Sequence, residues 1–188
     1  MTGESEKRAP EPLRLVQEFV NSAALERGED ELASPEALAR WFGEHGLLPA
    51  STAVSATEHR RAIDVREGLR AILSTHNGGD ADPQAVERLE RVAARAELRA
   101  CFTAEGAPKL APSCDGASGA LARLLVIVTT AAADGTWSRL KACADSGCRW
   151  AFYDHSKNRS GRWCTMAVCG NQQKARSYRA RRRRTATS

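Results

Sequence analysis

The chain has 188 residues, 42% of them apolar and 27% charged, with six cysteines and a net charge of +5. That apolar share excludes wholesale disorder, and the length suits one large domain or a medium domain with a small appendage. The polar first dozen residues lack the apolar core of a secretory signal, and the longest apolar run, residues 121–133, reads as too short to cross a bilayer. The expected location is therefore cytoplasmic, where thiols stay reduced and paired cysteines point to metal rather than disulfides.

Residues 1–12 are charged and contain two prolines, which predicts a flexible tail. Leu13, Val16 and Val20 recur at helical spacing and predict a first helix. Ser34-Pro35-Glu36 predicts the start of a second: Ser caps, Pro fits the first helical position, and Glu meets the positive end of the dipole. Its apolar face is Leu38, Trp41 and Phe42, and Gly46 is the expected stop. Ser55 and Glu58 have the spacing of a capping box, followed by the stripe Ala62, Val65, Leu69 and Ile72. Asp82-Pro83 opens a fourth helix with Val86, Leu89, Val92 and Ala93 as its stripe. Residues 98–113 break the helical pattern. Leu98, Ala100 and Phe102 alternate before a turn containing Gly106 and Pro108, which predicts a short β-hairpin. Residues 117–134 return to helix with Leu121, Leu124, Leu125 and Val128 inward. His45, His59 and His76 are scattered over this region and are expected at the surface or half-buried. No phosphate-binding glycine loop, nucleophile elbow or carboxylate pair accompanies them, so no catalytic residue is assigned and an enzyme is not expected.

The charge is divided along the chain. Residues 1–138 hold 15 basic and 21 acidic residues, a net of −6, whereas residues 139–188 hold 13 basic residues against Asp145 and Asp154, a net of +11. Such a segment is expected to meet a polyanion. Four of the six cysteines lie in it, Cys143, Cys148, Cys164 and Cys169, spaced C-x4-C-x15-C-x4-C. Two close pairs separated by about a hairpin can surround a tetrahedral ion. Four thiolates would close its coordination sphere, so one structural Zn2+ is expected, against the alternatives of two local disulfides or incidental thiols. His155 is expected to play a turn or surface role, because the cysteines already complete a tetrahedron.

Residues 149–155 alternate as a strand, and residues 161–164 are expected to return as its partner. Trp150, Phe152 and Trp163 are then expected in a small core, with Tyr153 the aromatic most exposed; stacking on bases is the alternative. Asn171 is placed to cap a helix carrying seven basic residues, among them Lys174, Arg176 and Arg179. Arg149, Arg159, Arg162, Lys174, Arg176 and Arg179 are the candidate nucleic-acid contacts.

These residues carry a resemblance. Arg139-Leu140-Lys141-Ala142-Cys143, the x4 knuckle, the run from Phe152 to Cys164 and Cys169-Gly170-Asn171 resemble the CGNR zinc finger, with Gln172 in place of the family's Arg. Lys157 and Gly161 also stand where that family often has Arg. Upstream, residues 15–21 (LVQEFVN), Glu31-Leu32-Ala33-Ser34-Pro35, Trp41 with Gly46-Leu47-Leu48, and Arg66-Glu67-Gly68-Leu69-Arg70 resemble the ABATE domain. The resemblance implies a bacterial, stress-related transcription regulator.

The fold expected is α+β: a mainly helical N-terminal domain with a small β-hairpin over residues 13–136, then a four-cysteine zinc finger over residues 137–182, a β-hairpin followed by a basic helix, and a basic tail over residues 183–188. The function expected is a regulator of transcription that binds double-stranded DNA, with most contacts to phosphate and one or two to base edges. The N-terminal domain would sense a small-molecule effector or bind a protein. The alternative is a protein- or small-molecule-binding module, or an RNA binder, in which zinc is purely structural.

Overall fold

The computed structural model describes residues 7–49, 51–171 and 173–175. Helix α1 (Leu13–Asn21) buries Leu13, Val16, Phe19 and Val20. Two short strands follow, β1 (Ala23–Ala24) and β2 (Glu29–Asp30), paired antiparallel. They were not expected, because a two-residue strand shows no alternation to read. Helix α2 (Pro35–Glu44) starts as its sequence predicts: Ser34 accepts a hydrogen bond from the Ala37 N–H, and Leu38, Trp41 and Phe42 are buried. Phe19, Trp41 and Phe42 pack ring on ring, with centroids 5.5–6.4 Å apart.

Helix α3 (Ala56–Thr75) opens with the full capping box. The Glu58 N–H donates to the Ser55 hydroxyl, and the Ser55 N–H donates to the Glu58 carboxylate. Its inward stripe is Ala62, Val65, Leu69 and Leu73; Leu73, expected only to widen the stripe, is buried, whereas the expected Ile72 is only partly buried. Helix α4 (Pro83–Ala93) is capped by Asp82 and buries Ala85 and Leu89. The expected Val86 is half-buried, because the face that meets α3 runs one residue earlier. Gly68 of α3 makes this pairing close: a Cβ there would lie 2.4 Å from the Leu89 Cβ and 2.9 Å from the Ala85 carbonyl oxygen.

The predicted hairpin is present as β3 (Leu98–Phe102) and β4 (Pro108–Pro112), with Ala100 opposite Leu110. Helix α5 (Gly116–Ala133) turns Ala117, Ala120, Leu121 and Leu124 into the core, while Leu125 and Val128 are only partly buried against it. Counted from Gly116, this helix is long and apolar enough by length and composition to cross a membrane, which corrects the shorter run read from the sequence. A 3₁₀ turn (Trp137–Arg139) leads into β5 (Leu140–Ala142), which pairs antiparallel with β6 (Ala151–Tyr153).

That pairing corrects one expectation. The strand after the first cysteine pair finds its partner before that pair, not at residues 161–164, which form no strand. The reason is burial. Leu140, Ala142, Ala151 and Tyr153 lie in one core with α1, α2, α3 and α5, so the hairpin completes the helical part rather than closing a core of its own. Tyr153, expected to be the most exposed of the group, is only 6% exposed for the same reason.

Two arginines are also buried in α3. Arg66 forks onto the Asp30 carboxylate at 2.7 and 2.8 Å and also donates to Glu67. Arg70 donates to Glu67 at 2.9 Å, to the Val20 carbonyl at 2.6 Å and to the Arg149 carbonyl at 3.3 Å. Desolvation works against both guanidinium ions; the bonds to Asp30 outweigh it at Arg66, whereas at Arg70 burial prevails over Glu67 and lowers the pKa. The pentapeptide Arg66-Glu67-Gly68-Leu69-Arg70 thus combines an ion network, a close helix contact and a core leucine.

Substituting Gly68→Ala is expected to overpack the α3–α4 contact and cost about 1–3 kcal/mol, since the obstructing atoms include backbone. A fall in the urea midpoint with unchanged slope is the measurement that checks it.

Candidate metal centre and basic face

Cys143 follows β5 directly, and its N–H donates to the Trp150 carbonyl at 2.9 Å. The chain then reverses over Ala144-Asp145-Ser146-Gly147. The Asp145 carboxylate accepts the Gly147 N–H at 3.0 Å, and its carbonyl accepts the N–H groups of Cys148 and Arg149 at 3.0 Å each. Arg149 closes the knuckle with φ at 49°, a left-handed conformation that costs a non-glycine residue about 1–2 kcal/mol. Its carbonyl is held by buried Arg70.

The second pair is built differently. Cys164 precedes an extended Thr165, and a wide helical turn (Met166–Gly170) brings Cys169 back over Cys164, with the Gly170 N–H bonded to the Thr165 carbonyl. Helical backbone continues through Asn171 and residues 173–175. Asn171 is therefore inside the helix rather than capping it, and its amide donates back to the Ala167 carbonyl at 3.1 Å. A sequence cannot show that the turn begins five residues earlier, because Thr165 makes no side-chain cap.

The Ala144 N–H donates to the Arg162 carbonyl at 3.0 Å and ties one knuckle to the other. All four sulfurs lie within 4.8 Å of one another; Cys148 and Cys169 are each 3.6 Å from Cys164. A tetrahedron with metal–sulfur bonds of 2.3 Å has edges of about 3.8 Å, so these residues fit a thiophilic divalent ion such as zinc. Three of the cysteines are buried, and Trp150 and Trp163 pack against them. His155 stands outside the cluster, exposed, with Nε2 2.9 Å from the Arg8 carbonyl oxygen. Cys101 and Cys114 are free and half-buried.

Without a cation the four thiols share their protons unequally. Hydrogen bonds from Cys148 and Cys164 favour the Cys143 thiolate and lower its pKa. Donating to Cys143 pushes Cys148 and Cys164 upward, and burial followed by the negative charge on Cys143 pushes Cys169 upward. A bound cation must therefore displace protons from thiols that hold them tightly.

Between the pairs runs a loop organised by a buried ion pair. Lys141 Nζ lies 2.8 Å from Asp154 Oδ2 and also donates to the carbonyls of Arg159 and Gly161. Asp154 accepts from Ser156 and from the Gly161 N–H. Burial alone would raise the Asp154 carboxyl, but Lys141 and these donors hold it well below the usual carboxylate range. A Cβ on Gly161 would come within 2.8 Å of Asp154 Oδ1, so the loop packs directly onto the pair.

This loop carries two of the candidate contacts. Arg159 is exposed, left-handed at φ 51°, and reaches the Ser138 hydroxyl at 3.1 Å. Arg162 is exposed, its guanidinium 6.0 Å over the Trp163 ring. Lys174 is exposed on the helical segment, whereas Arg149 is half-buried on the first knuckle. Arg176 and Arg179, like Gln172, lie outside the described residues. The Asp154–Lys141 pair that presents the loop was not singled out from the sequence, because residues thirteen positions apart meet only once β5 and β6 pair.

Two outcomes test this geometry. Metal loading is expected to hold above neutral pH and fall as acid reprotonates the raised thiols, read as metal content after dialysis against a pH series. Asp154→Asn leaves the Lys141 ammonium buried without its counter-charge, and is expected to cost about 3–5 kcal/mol in chemical denaturation.

Comparison with known proteins agrees with the site. The model of the ABATE family, described as "Putative stress-induced transcription regulator", matches residues 13–136. The CGNR zinc finger model matches residues 139–182, which include all four cysteines. No curated protein matches the chain. With more than half its length matched, the chain belongs to the ABATE family and carries a CGNR zinc finger after that domain.

Proposed function

We propose that the protein is a cytoplasmic, DNA-binding transcription regulator whose cysteines hold one structural zinc ion. The observation that carries this reading is the sorting of charge in the finger. Its two acids, Asp145 and Asp154, are each 4% exposed, while Lys157, Arg159, Arg162 and Lys174 are exposed. The surface formed by these residues is thus uniformly positive, as a phosphate backbone requires. Arg159 and Arg162 are the phosphate contacts assigned to the loop and Lys174 the one assigned to the helical segment, with Arg176 and Arg179, outside the described residues, as further candidates. A set of four thiolates leaves no vacant position for water, so the ion serves folding rather than chemistry.

The helical domain, residues 13–136, serves sensing or protein interaction in this scheme. A cleft of about 170 Å3 between the β1–β2 turn and the finger is lined by Leu25, Phe152, Val168 and Lys7 and also by Cys148, Cys164 and Cys169, so it adjoins the metal site. Burial of Tyr153 disfavours RNA, since it removes the most prominent candidate for base stacking.

Anisotropy titrations of the zinc-loaded protein against duplex DNA at several salt concentrations test the proposal. The log–log slope is expected to steepen by about 0.9 per phosphate engaged, and the double variant Arg159→Ala, Arg162→Ala to lose about two units of it. Absence of binding at low salt would overturn it.

A further inference from the structure

The metal cluster receives support from outside its own segment. Asn77, just past the end of α3, is 9% exposed. Its Nδ2 donates to the Ala142 carbonyl at 2.7 Å and to the Arg162 carbonyl at 2.8 Å. Ala142 immediately precedes Cys143, and Arg162 lies two residues before Cys164. The two hydrogens of one amide thus reach the two halves of the site. The second acceptor also takes the Ala144 N–H, so three groups meet where the knuckles touch. Two carbonyl acceptors also determine which end of the amide points inward, since Oδ1 in that place would face oxygen on both sides.

We infer that Asn77, a residue of the helical domain, is a positioning residue of the metal centre: it sets the separation of the two cysteine pairs and so their affinity for the ion. The inference rests on metal binding by the four cysteines. Within the finger's described residues, Lys141 ties the first half to the Arg159 and Gly161 carbonyls, but Asn77 bonds closer to both cysteine pairs, at Ala142 and Arg162. The x15 connection between the pairs runs through β6 and the Asp154 loop, and the only other direct backbone tie described between the knuckles is the Ala144–Arg162 bond. Groups that hold the backbone beside a metal ligand limit the arrangements the ligands sample before the ion enters, and their loss costs about tenfold to a hundredfold in metal affinity. The neighbouring His76, with Nδ1 2.9 Å from the Leu140 carbonyl oxygen, fixes the approach to β5 from the same helix end.

A general loosening of the finger is the competing account, and Asn21 provides the control. It exchanges two hydrogen bonds with Ala151, at 2.7 and 2.9 Å, so it also anchors the β5–β6 hairpin to the helical domain, but it bridges no cysteine pair. The full chain, its Asn77→Ala, Asn77→Ser and Asn21→Ala variants are titrated with zinc against a chelator of known affinity, with urea stability of each metal-free form measured in parallel. Asn77→Ala is expected to weaken zinc binding by about tenfold to a hundredfold. Asn77→Ser, which keeps one donor and keeps the test open should the alanine variant not fold, is expected to lose less. Asn21→Ala is expected to lose stability while its zinc affinity stays near the wild-type value. Wild-type affinity in the Asn77 variants, or an equal loss in Asn21→Ala, would overturn the inference. Failure of the unaltered chain to take up zinc would instead overturn the metal assignment on which it rests.

Discussion

A hairpin with three residues in each strand is not stable alone in water. β5 and β6 exist because one of their faces completes the core of the helical domain and because that domain satisfies their backbone. Gln17 and Asn21 of α1 bond Ala151, Arg70 of α3 bonds Arg149, His76 contacts the Leu140 carbonyl, and Asn77 holds Ala142. An unpaired carbonyl buried at such a junction would cost about 1–3 kcal/mol, so each of these polar residues adds a share to the hairpin's stability. The first cysteine pair lies in the connection between these two strands. The site's first half is therefore placed by the helical core, and the metal need only bring the second half to it.

The charged groups follow the same division. The buried cations of the described residues are paired: Arg66 with Asp30, Arg70 with Glu67, Lys141 with Asp154. The last pair has two consequences. It removes one of the two acids of residues 139–188 from the surface, and it fixes the loop that displays Arg159 and Arg162. A net of +11 in sequence thus becomes a positive surface with no exposed acid among the finger's described residues. That is a stronger condition for phosphate binding than net charge alone.

Much of the helical part was legible because caps and apolar periodicity are local signals. Ser34 and Ser55 do what their positions predict, and the break at residues 98–113 is the hairpin. Inward stripes were read less well: Ile72, Val86, Leu125 and Val128 turned out half-buried, because the direction of a neighbouring helix decides which flank of a stripe is covered. The four cysteines were legible because tetrahedral thiolate coordination imposes paired spacing. The strand partner of residues 151–153 was not. Residues 161–164 are nearer to a turn-rich segment and pair plausibly by pattern, but only the shared core selects Leu140–Ala142.

The helices, the hairpin at residues 98–113, the cysteine quartet and the separation of acidic from basic charge follow from residue type at short separation, and so could be read along the chain. The tertiary structure alone decided that the finger is seated in the helical core, that Tyr153 is buried, that Lys141 finds Asp154 and that Asn77 spans both cysteine pairs. These contacts join residues from thirteen to more than a hundred positions apart. They are set by which surfaces must be buried together and which backbone groups would otherwise be left without partners.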